Sequence, residues 1–304
     1  MVTFVTGPVR VSVPATSANL GPGFDSLGLA LSLRDELEGE VIASGLEIDV
    51  EGAGADEVPR DETHLVVRAV RAAFAEMGAE PPGLRLACRN VIPHARGLGS
   101  SSAAIVGGVH LARSLVAGGS LLLDDDALFR LAARLEGHPD NVAPALYGGF
   151  VISGHDGEEF YAVGSAVDQR VSAVVFVPPI PVSTELARGL LPERVPHADA
   201  AADAGRTALL VAALAGQPEQ LHRATRDYLH QEYRRPAMPE SLALVDLLRA
   251  EGVAAIVSGA GPTVLAFTDG PDPAAEPVAR LLARCPDGWS ARHLAVDRSG
   301  VRPR

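Results

Sequence analysis

The run Pro93-His94-Ala95-Arg96-Gly97-Leu98-Gly99-Ser100-Ser101-Ser102 sets two glycines and three serines ahead of a small-residue apolar stretch. The glycines permit a tight turn, and a helix starting behind them presents free N–H groups and its positive dipole end to an anion. Serine hydroxyls there can hold a phosphate oxygen or a metal ion, or cap the helix by accepting its free amides. An ordinary glycine turn leading into a Ser-capped helix is the plainer reading of the same residues. The run is not a dinucleotide fingerprint, which wants a third glycine where Ser102 stands, and not a P-loop, which needs lysine. Gly99-Ser100-Ser101-Ser102-Ala103 approaches the nucleophile elbow of serine hydrolases. Ala103 takes the place of its closing glycine, however, and His138 and Asp140 follow in the wrong order for a triad.

Two further segments are dense in functional groups. Residues 14–25, Pro-Ala-Thr-Ser-Ala-Asn-Leu-Gly-Pro-Gly-Phe-Asp, combine turn formers with side-chain acceptors, as a loop that recognises a small molecule does. Glu136-Gly137-His138-Pro139-Asp140-Asn141 packs four polar groups into six residues, ahead of Tyr147-Gly148-Gly149. Each alone also reads as a polar turn. Beside the glycine/serine run they cease to be independent.

Elements that would position these residues follow from periodicity. Alternation over 9–13 predicts a strand, interrupted by the polar stretch 15–25. Apolar runs at 27–33, 37–43 and 46–50 predict a small mixed or antiparallel sheet. Over 61–77 the helical spacing puts Leu65, Val66, Ala69, Ala73 and Met77 on one face, with Gly78 as the stop, and 84–91 is a strand. A helix over 101–115 carries no charge before Arg113 and is expected to be buried; another covers 125–136. A strand starts at Gly148, and the polar, acidic stretch 154–164 is the expected domain junction. Strands at 171–177, 254–257, 263–267 and 291–296 then interleave with helices at 198–215, 241–251 and 274–283, the pattern of a two-layer α+β sandwich.

The chain's 304 residues suit two modest domains, and its aromatic content of 4% leaves aliphatic residues to build the core. A net charge of −12 argues against a nucleic-acid groove or an anionic membrane as partner. All 26 basic residues are arginine, which removes a Schiff-base nucleophile and an ordinary pyridoxal-phosphate site. Cys88 and Cys285 are too far apart in sequence to suggest a metal pair or a disulfide framework. No signal-peptide pattern and no membrane-length apolar run is present, so a cytoplasmic protein is expected.

Four segments together resemble the homoserine kinase family, within the superfamily of galactokinase, homoserine kinase, mevalonate kinase and phosphomevalonate kinase. They are PATSANLGPGFDSLGLAL at 14–31, IPHARGLGSSSAA at 92–104, EGHPDNVAPALYGG at 136–149 and VSGAGPTVLAF at 257–267. The second and fourth mark the superfamily, the first and third the family, and the resemblance spans nearly the whole chain. It implies an α+β, two-domain GHMP-kinase-like fold: a ribosomal-S5-like ATP-binding domain over 1–155 and a ferredoxin-like domain over 156–304 completing the substrate site. It implies transfer of the γ-phosphoryl group of ATP, with Mg²⁺, to the side-chain hydroxyl of L-homoserine in threonine biosynthesis, by a homodimer.

Carried onto matching positions, the resemblance implies that Pro93, Arg96, Gly97, Leu98, Gly99, Ser100, Ser101 and Ser102 surround the nucleotide. His64 would stand near the adenine, where the family usually has asparagine. Ser101 and Glu136 would hold magnesium. Asn19 and Asp25 would hold the ammonium group and the hydroxyl end of homoserine, with His138 and Asn141 in the same pocket. Thr184, Arg188 and Arg234 would bind the carboxylate and close the site, a forked guanidinium being the right donor for a planar carboxylate. Asn19, Asp25 and Asn141 would orient the hydroxyl with no dedicated base. Ser102 takes a position more often alanine, and Asp203 replaces an asparagine. Two rivals are a superfamily sibling acting on another small alcohol and a non-catalytic member that keeps the fold as a binding module.

Overall fold

The structure, a computed structural model, describes residues 2–270, 272 and 274–304. Strand β1 (Val9–Ala18) pairs antiparallel with β2 (Leu27–Val41), with Val11, Val13 and Ala15 of β1 fully buried. The polar stretch after residue 14 therefore does not end β1: Thr16 and Ser17 are buried members of it. The two runs expected at 27–33 and 37–43 are one strand. Pro14 faces Arg34 while Ala15 faces Leu31, so the bulge at Ser32 and Leu33 bends β2 without breaking it. β3 (Gly45–Gly52), α1 (Leu65–Glu76) and β4 (Gly83–Asn90) form a parallel crossover unit. The helix buries Val66, Val67, Val70, Ala73 and Phe74 and ends where Gly78 turns left-handed.

Next come α2 (Ser100–Leu115), α3 (Gly119–Leu122), α4 (Asp125–Glu136), α5 (Val142–Tyr147), β5 (Phe150–Asp156) and β6 (Glu159–Ser165). β2 feeds two branches of a seven-stranded sheet: its first residues pair with β5, its last with β4. The polar stretch 154–164 is a hairpin of this sheet, β5 against β6, and not a junction; the chain passes to the second sheet between residues 165 and 171. The acidic, exposed residues that suggested a linker, Asp156, Glu158 and Glu159, sit at the turn of this hairpin and the start of its edge strand, where the chain meets water.

The second half contains β7 (Val171–Val177), α6 (Thr184–Gly189), α7 (His197–Gly216), α8 (Leu221–Ala224) and α9 (Pro239–Ala250). It continues with β8 (Ala255–Val257), β9 (Val264–Asp269), α10 (Glu276–Leu282), β10 (Ser290–Ala295) and β11 (Arg302–Pro303). The sheet order β10-β7-β9-β8, all antiparallel, with helices after β7 and β9, is the ferredoxin-like arrangement. Every residue of β7 is buried. Val171, Ala173 and Val175 join the core of the first sheet, while Val174 and Phe176 join a second core with α9 and α10. The tail returns to the first sheet as β11 beside β1, where Asp297 ion-pairs with the nearly buried Arg34. Among the described residues no helix is long and apolar enough to cross a membrane.

Candidate active site

Past β1 the chain turns through three non-glycine residues in the left-handed region, Asn19 (φ 65°), Leu20 (φ 53°) and Asp25 (φ 52°). Such backbone costs about 1 kcal/mol or more per residue and persists only where neighbours enforce it. Asn19 supplies the enforcement: Oδ1 accepts from the Asp25 amide (3.0 Å) and Nδ2 donates to the Gly259 carbonyl (2.9 Å). The Asp25 carboxylate then accepts both ends of the Arg188 guanidinium, at 2.9 and 2.6 Å. Arg188 comes from α6, where Ser183 caps the helix and Thr184 is the first residue.

The glycine/serine loop docks across this turn. Gly99, left-handed at φ 68°, is the N-cap of α2, and a Cβ on it would lie 1.9 Å from Thr16 Oγ1. A Cβ on Gly97 would lie 2.2 Å from the Ser258 carbonyl. Thr16 Oγ1 donates to Asn141 Oδ1 (2.8 Å), and Ser258 Oγ donates to the Gly97 carbonyl (2.6 Å). The serines do not cap α2. Ser101 and Ser102 hydroxyls instead both donate to Glu136 Oε1, at 2.6 and 2.9 Å, because α4 ends beside the start of α2. Oε2 takes no part in these bonds. Arg96 donates to the carbonyls of Pro178 (2.9 Å), His94 (2.9 Å) and Pro179, so its charge latches the loop to the segment after β7.

His138 Nδ1 donates to Asp140 Oδ1 at 2.8 Å. Burial works to lower the pKa of His138, but the bond and charge of Asp140, helped by Glu136, outweigh it and hold the pKa above the ordinary value. Arg234 is buried to 1% exposure, and burial, then the charge of Arg188, bring its pKa down to about 10. Both guanidinium carbons lie over the Phe24 ring, 5.5 Å (Arg188) and 5.6 Å (Arg234) from its centroid.

Most of these groups line one cleft of about 320 Å³, to which both halves of the chain contribute. Of the residues singled out in the sequence, Asn19, Asp25, Arg96, Gly97, Gly99, Ser100, Ser101, Glu136, His138, Asn141, Thr184, Arg188 and Arg234 line it. Four others do not: Leu98 and Ser102 are buried in the protein, Pro93 is half-buried, and His64 is the N-cap of α1. His64 is 4% exposed and its Nδ1 has no partner; burial, then Arg60 and His94, hold it neutral by lowering its pKa. A larger cavity, about 820 Å³, lies between α8 and α10. Its Arg280 and Arg284 are surface groups paired with Glu276 and Glu251, and none of the four motif segments reaches the chemistry there apart from Phe267.

Sequence reasoning left Thr16, Asp140 and Gly259 without a role. Thr16 and Asp140 stand inside the polar segments and were within its reach. The Gly259 carbonyl, shared by Asn19 and Arg234, has no side-chain signal at all.

The chain matches the model of the GHMP kinases N terminal domain over residues 64–149 and that of the GHMP kinases C terminal over residues 209–287. The glycine/serine loop and the ferredoxin-like second half thus belong to a GHMP kinase. The chain is 55% identical to a homoserine kinase of Streptomyces avermitilis, over 98% of this chain and 96% of the relative. It is 53% identical to one of Clavibacter michiganensis, over 96% and 92%. A solved homoserine kinase from Cytophaga hutchinsonii superposes with a TM-score of 0.85 at 25% identity, covering 99% of both chains. The chain belongs to the homoserine kinase family.

Proposed function

We propose that this cleft phosphorylates L-homoserine: the γ-phosphoryl group of ATP passes to the side-chain hydroxyl, giving O-phospho-L-homoserine and ADP on the way to threonine. The observation that carries the reading is the meeting, in one cleft, of a helix-N-terminal loop suited to phosphates and the Asp25–Arg188 pair. An α-amino acid carries both complementary charges. Its ammonium suits Asp25 and Asn19, and its carboxylate suits Arg188, Arg234 and Thr184. Arg234 Nη2 takes no part in that residue's bonds to Ala187, Gly259 and His230, which leaves a donor for the carboxylate.

The amides of the 97–101 loop and the positive end of α2 receive the phosphates, with Pro93, Leu98 and Ser102 shaping the loop and Arg96 latching it. His64, buried at the start of α1 and outside the cleft, is assigned no contact with the nucleotide. Among the described residues no cluster of three or more His, Cys, Asp or Glu is arranged for a metal ion. One hydroxyl and one carboxylate, Ser101 and Glu136, nevertheless fit Mg²⁺, which binds oxygen and retains most of its waters. When bound, the ion neutralises phosphate charge.

Phosphoryl transfer asks for alignment and charge neutralisation more than covalent help. Because Thr16 donates to Oδ1 of Asn141, Nδ2 of that amide is the group left for the acceptor hydroxyl, with Asn19, Asp25 and His138 beside it. No residue is assigned as base. We read the enzyme as a cytoplasmic homodimer, on the family resemblance, with no nucleic-acid or membrane partner, on its net charge of −12.

The test is ADP release with Mg-ATP, comparing L-homoserine with D-homoserine, L-serine and mevalonate. Turnover with L-homoserine alone is expected. Turnover only with a non-amino-acid alcohol would retain the kinase and discard the substrate.

A further inference from the structure

A guanidinium as buried as that of Arg234 needs a partner for each N–H turned away from water. Two partners are carbonyls: Ala187 O, 3.3 Å from Nε, and Gly259 O, 3.0 Å from Nη1. The third is a side chain, since Nη1 also lies 3.0 Å from Nδ1 of His230. Arginine can only donate, so Nδ1 must be unprotonated. The other ring nitrogen points to the same tautomer, because Nε2 lies 2.8 Å from the Gly21 carbonyl, which can only accept.

His230 is fully buried, and its ring centroid lies 5.2 Å from that of Phe24. Burial first, and then the charge of Arg234, keep the ring neutral; Asp227, 3.6 Å from Nε2, and Asp25 pull the other way. The Asp227 carboxylate is itself engaged by the amides of Leu229, His230 and Gln231, at 2.9, 3.1 and 2.7 Å.

We infer that His230 is a positioning residue for substrate recognition: its neutral imidazole ties the Arg234 guanidinium to the Gly21 end of the Asn19–Asp25 turn. The cationic and anionic halves of the amino-acid pocket are thereby held at one spacing. The inference rests on the reading of Arg234 as the carboxylate clamp. A second link runs in parallel, since the Gly259 carbonyl accepts from both Asn19 and Arg234. Without His230, Nη1 keeps only that carbonyl and the guanidinium can turn out of register with the carboxylate. The hydroxyl end, held by Asn141 across the cleft, is untouched.

Two amide substitutions separate the halves of the link. His230→Gln can reach the Gly21 carbonyl but offers nothing at the Nδ1 position; His230→Asn offers an acceptor near Nδ1 and gives up Gly21. Ligand halves separate the pocket: L-2-aminobutyrate has the carboxylate and no hydroxyl, and 3-aminopropan-1-ol has the hydroxyl and no carboxylate. For His230→Gln we expect KM for L-homoserine and Ki for L-2-aminobutyrate to rise about tenfold, the loss of one charge-assisted bond. Values for kcat, for KM of ATP and for Ki of 3-aminopropan-1-ol should stay within about threefold, and His230→Asn should recover most of the loss. Equal loss of both half-ligands, or none, overturns the inference.

Arg234→Gln tests the underlying reading separately. It should weaken L-2-aminobutyrate alone, and if it weakens both half-ligands equally the clamp itself is wrong. In the unsubstituted protein, ¹⁵N spectra at neutral pH should show His230 protonated at Nε2 and bare at Nδ1. A protonated Nδ1 overturns the inference without any variant.

Discussion

Asp140 is buried beside the groups assigned to the acceptor hydroxyl, and its Oδ1 already accepts from His138. A carboxylate held this way orients an imidazole through one oxygen, and that is the role the base-free reading gives it. Asparagine can still accept the same bond through Oδ1. We therefore expect Asp140→Asn to retain turnover within about tenfold, with the change mainly in KM for homoserine. A loss of about a thousandfold in kcat, with both substrate affinities and the fold intact, would make Asp140 the base and sink the base-free reading. Residue types in the three polar segments marked where functional groups gather, and the family resemblance selected the candidates among them, as it did Thr184, Arg188 and Arg234 elsewhere. Which of their atoms are already spent, as those of Arg96 are, depends on partners far along the chain such as Pro178.

At the scale of elements, α2 carries the loop, and two glycines in mid-helix let it approach its neighbours. A Cβ on Gly107 would come within 2.5 Å of Leu37 Cδ1, and one on Gly108 within 2.8 Å of both the Ala69 Cβ and the Val66 carbonyl. The second contact is with α1 backbone and cannot relax by a rotamer change. Alanine would gain about 1 kcal/mol of helix propensity at Gly108. Overpacking costs about 1–3 kcal/mol and should win. Thermal unfolding of Gly108→Ala is expected a few degrees below the parent; an equal or higher midpoint would show that α1 and α2 have room to move apart. The absence of charge along 101–112 made burial of α2 legible in the sequence. Its exact approach to α1 was not, because a glycine in a helix reads first as a weak point.

For the whole molecule, stability should depend on pH through Asp35 of β2. This carboxyl, 5% exposed, accepts from the amides of Val91 (2.6 Å) and Ile92 (2.9 Å) just ahead of the glycine/serine loop. Burial, only partly offset by those two bonds, pushes its pKa up to about 6. Between the ordinary carboxylate range and about 6 the folded chain thus keeps a proton that the unfolded chain has lost, so this group's contribution falls as pH rises and is flat above. Both amides meet Oδ1, which asparagine retains. Relative to the parent, Asp35→Asn should gain up to about 3 kcal/mol between about pH 4 and about pH 7, read from paired denaturant titrations. A difference that does not change with pH would mean that Asp35 titrates normally.

The sequence by itself determined the class of chemistry, the elements near the loop and most of the residues that line the cleft. Turn formers, small-residue helices and polar clusters act over a few neighbouring positions, and sequence spacing reports those directly. The tertiary structure decided what depends on contacts across tens or hundreds of residues. It made one bent strand of two runs and an edge hairpin of the supposed junction. It brought Arg188 to Asp25 and His230 to Gly21. A polar stretch has the same local pattern whether it faces water as a linker or as the open edge of a sheet, and only packing tells them apart.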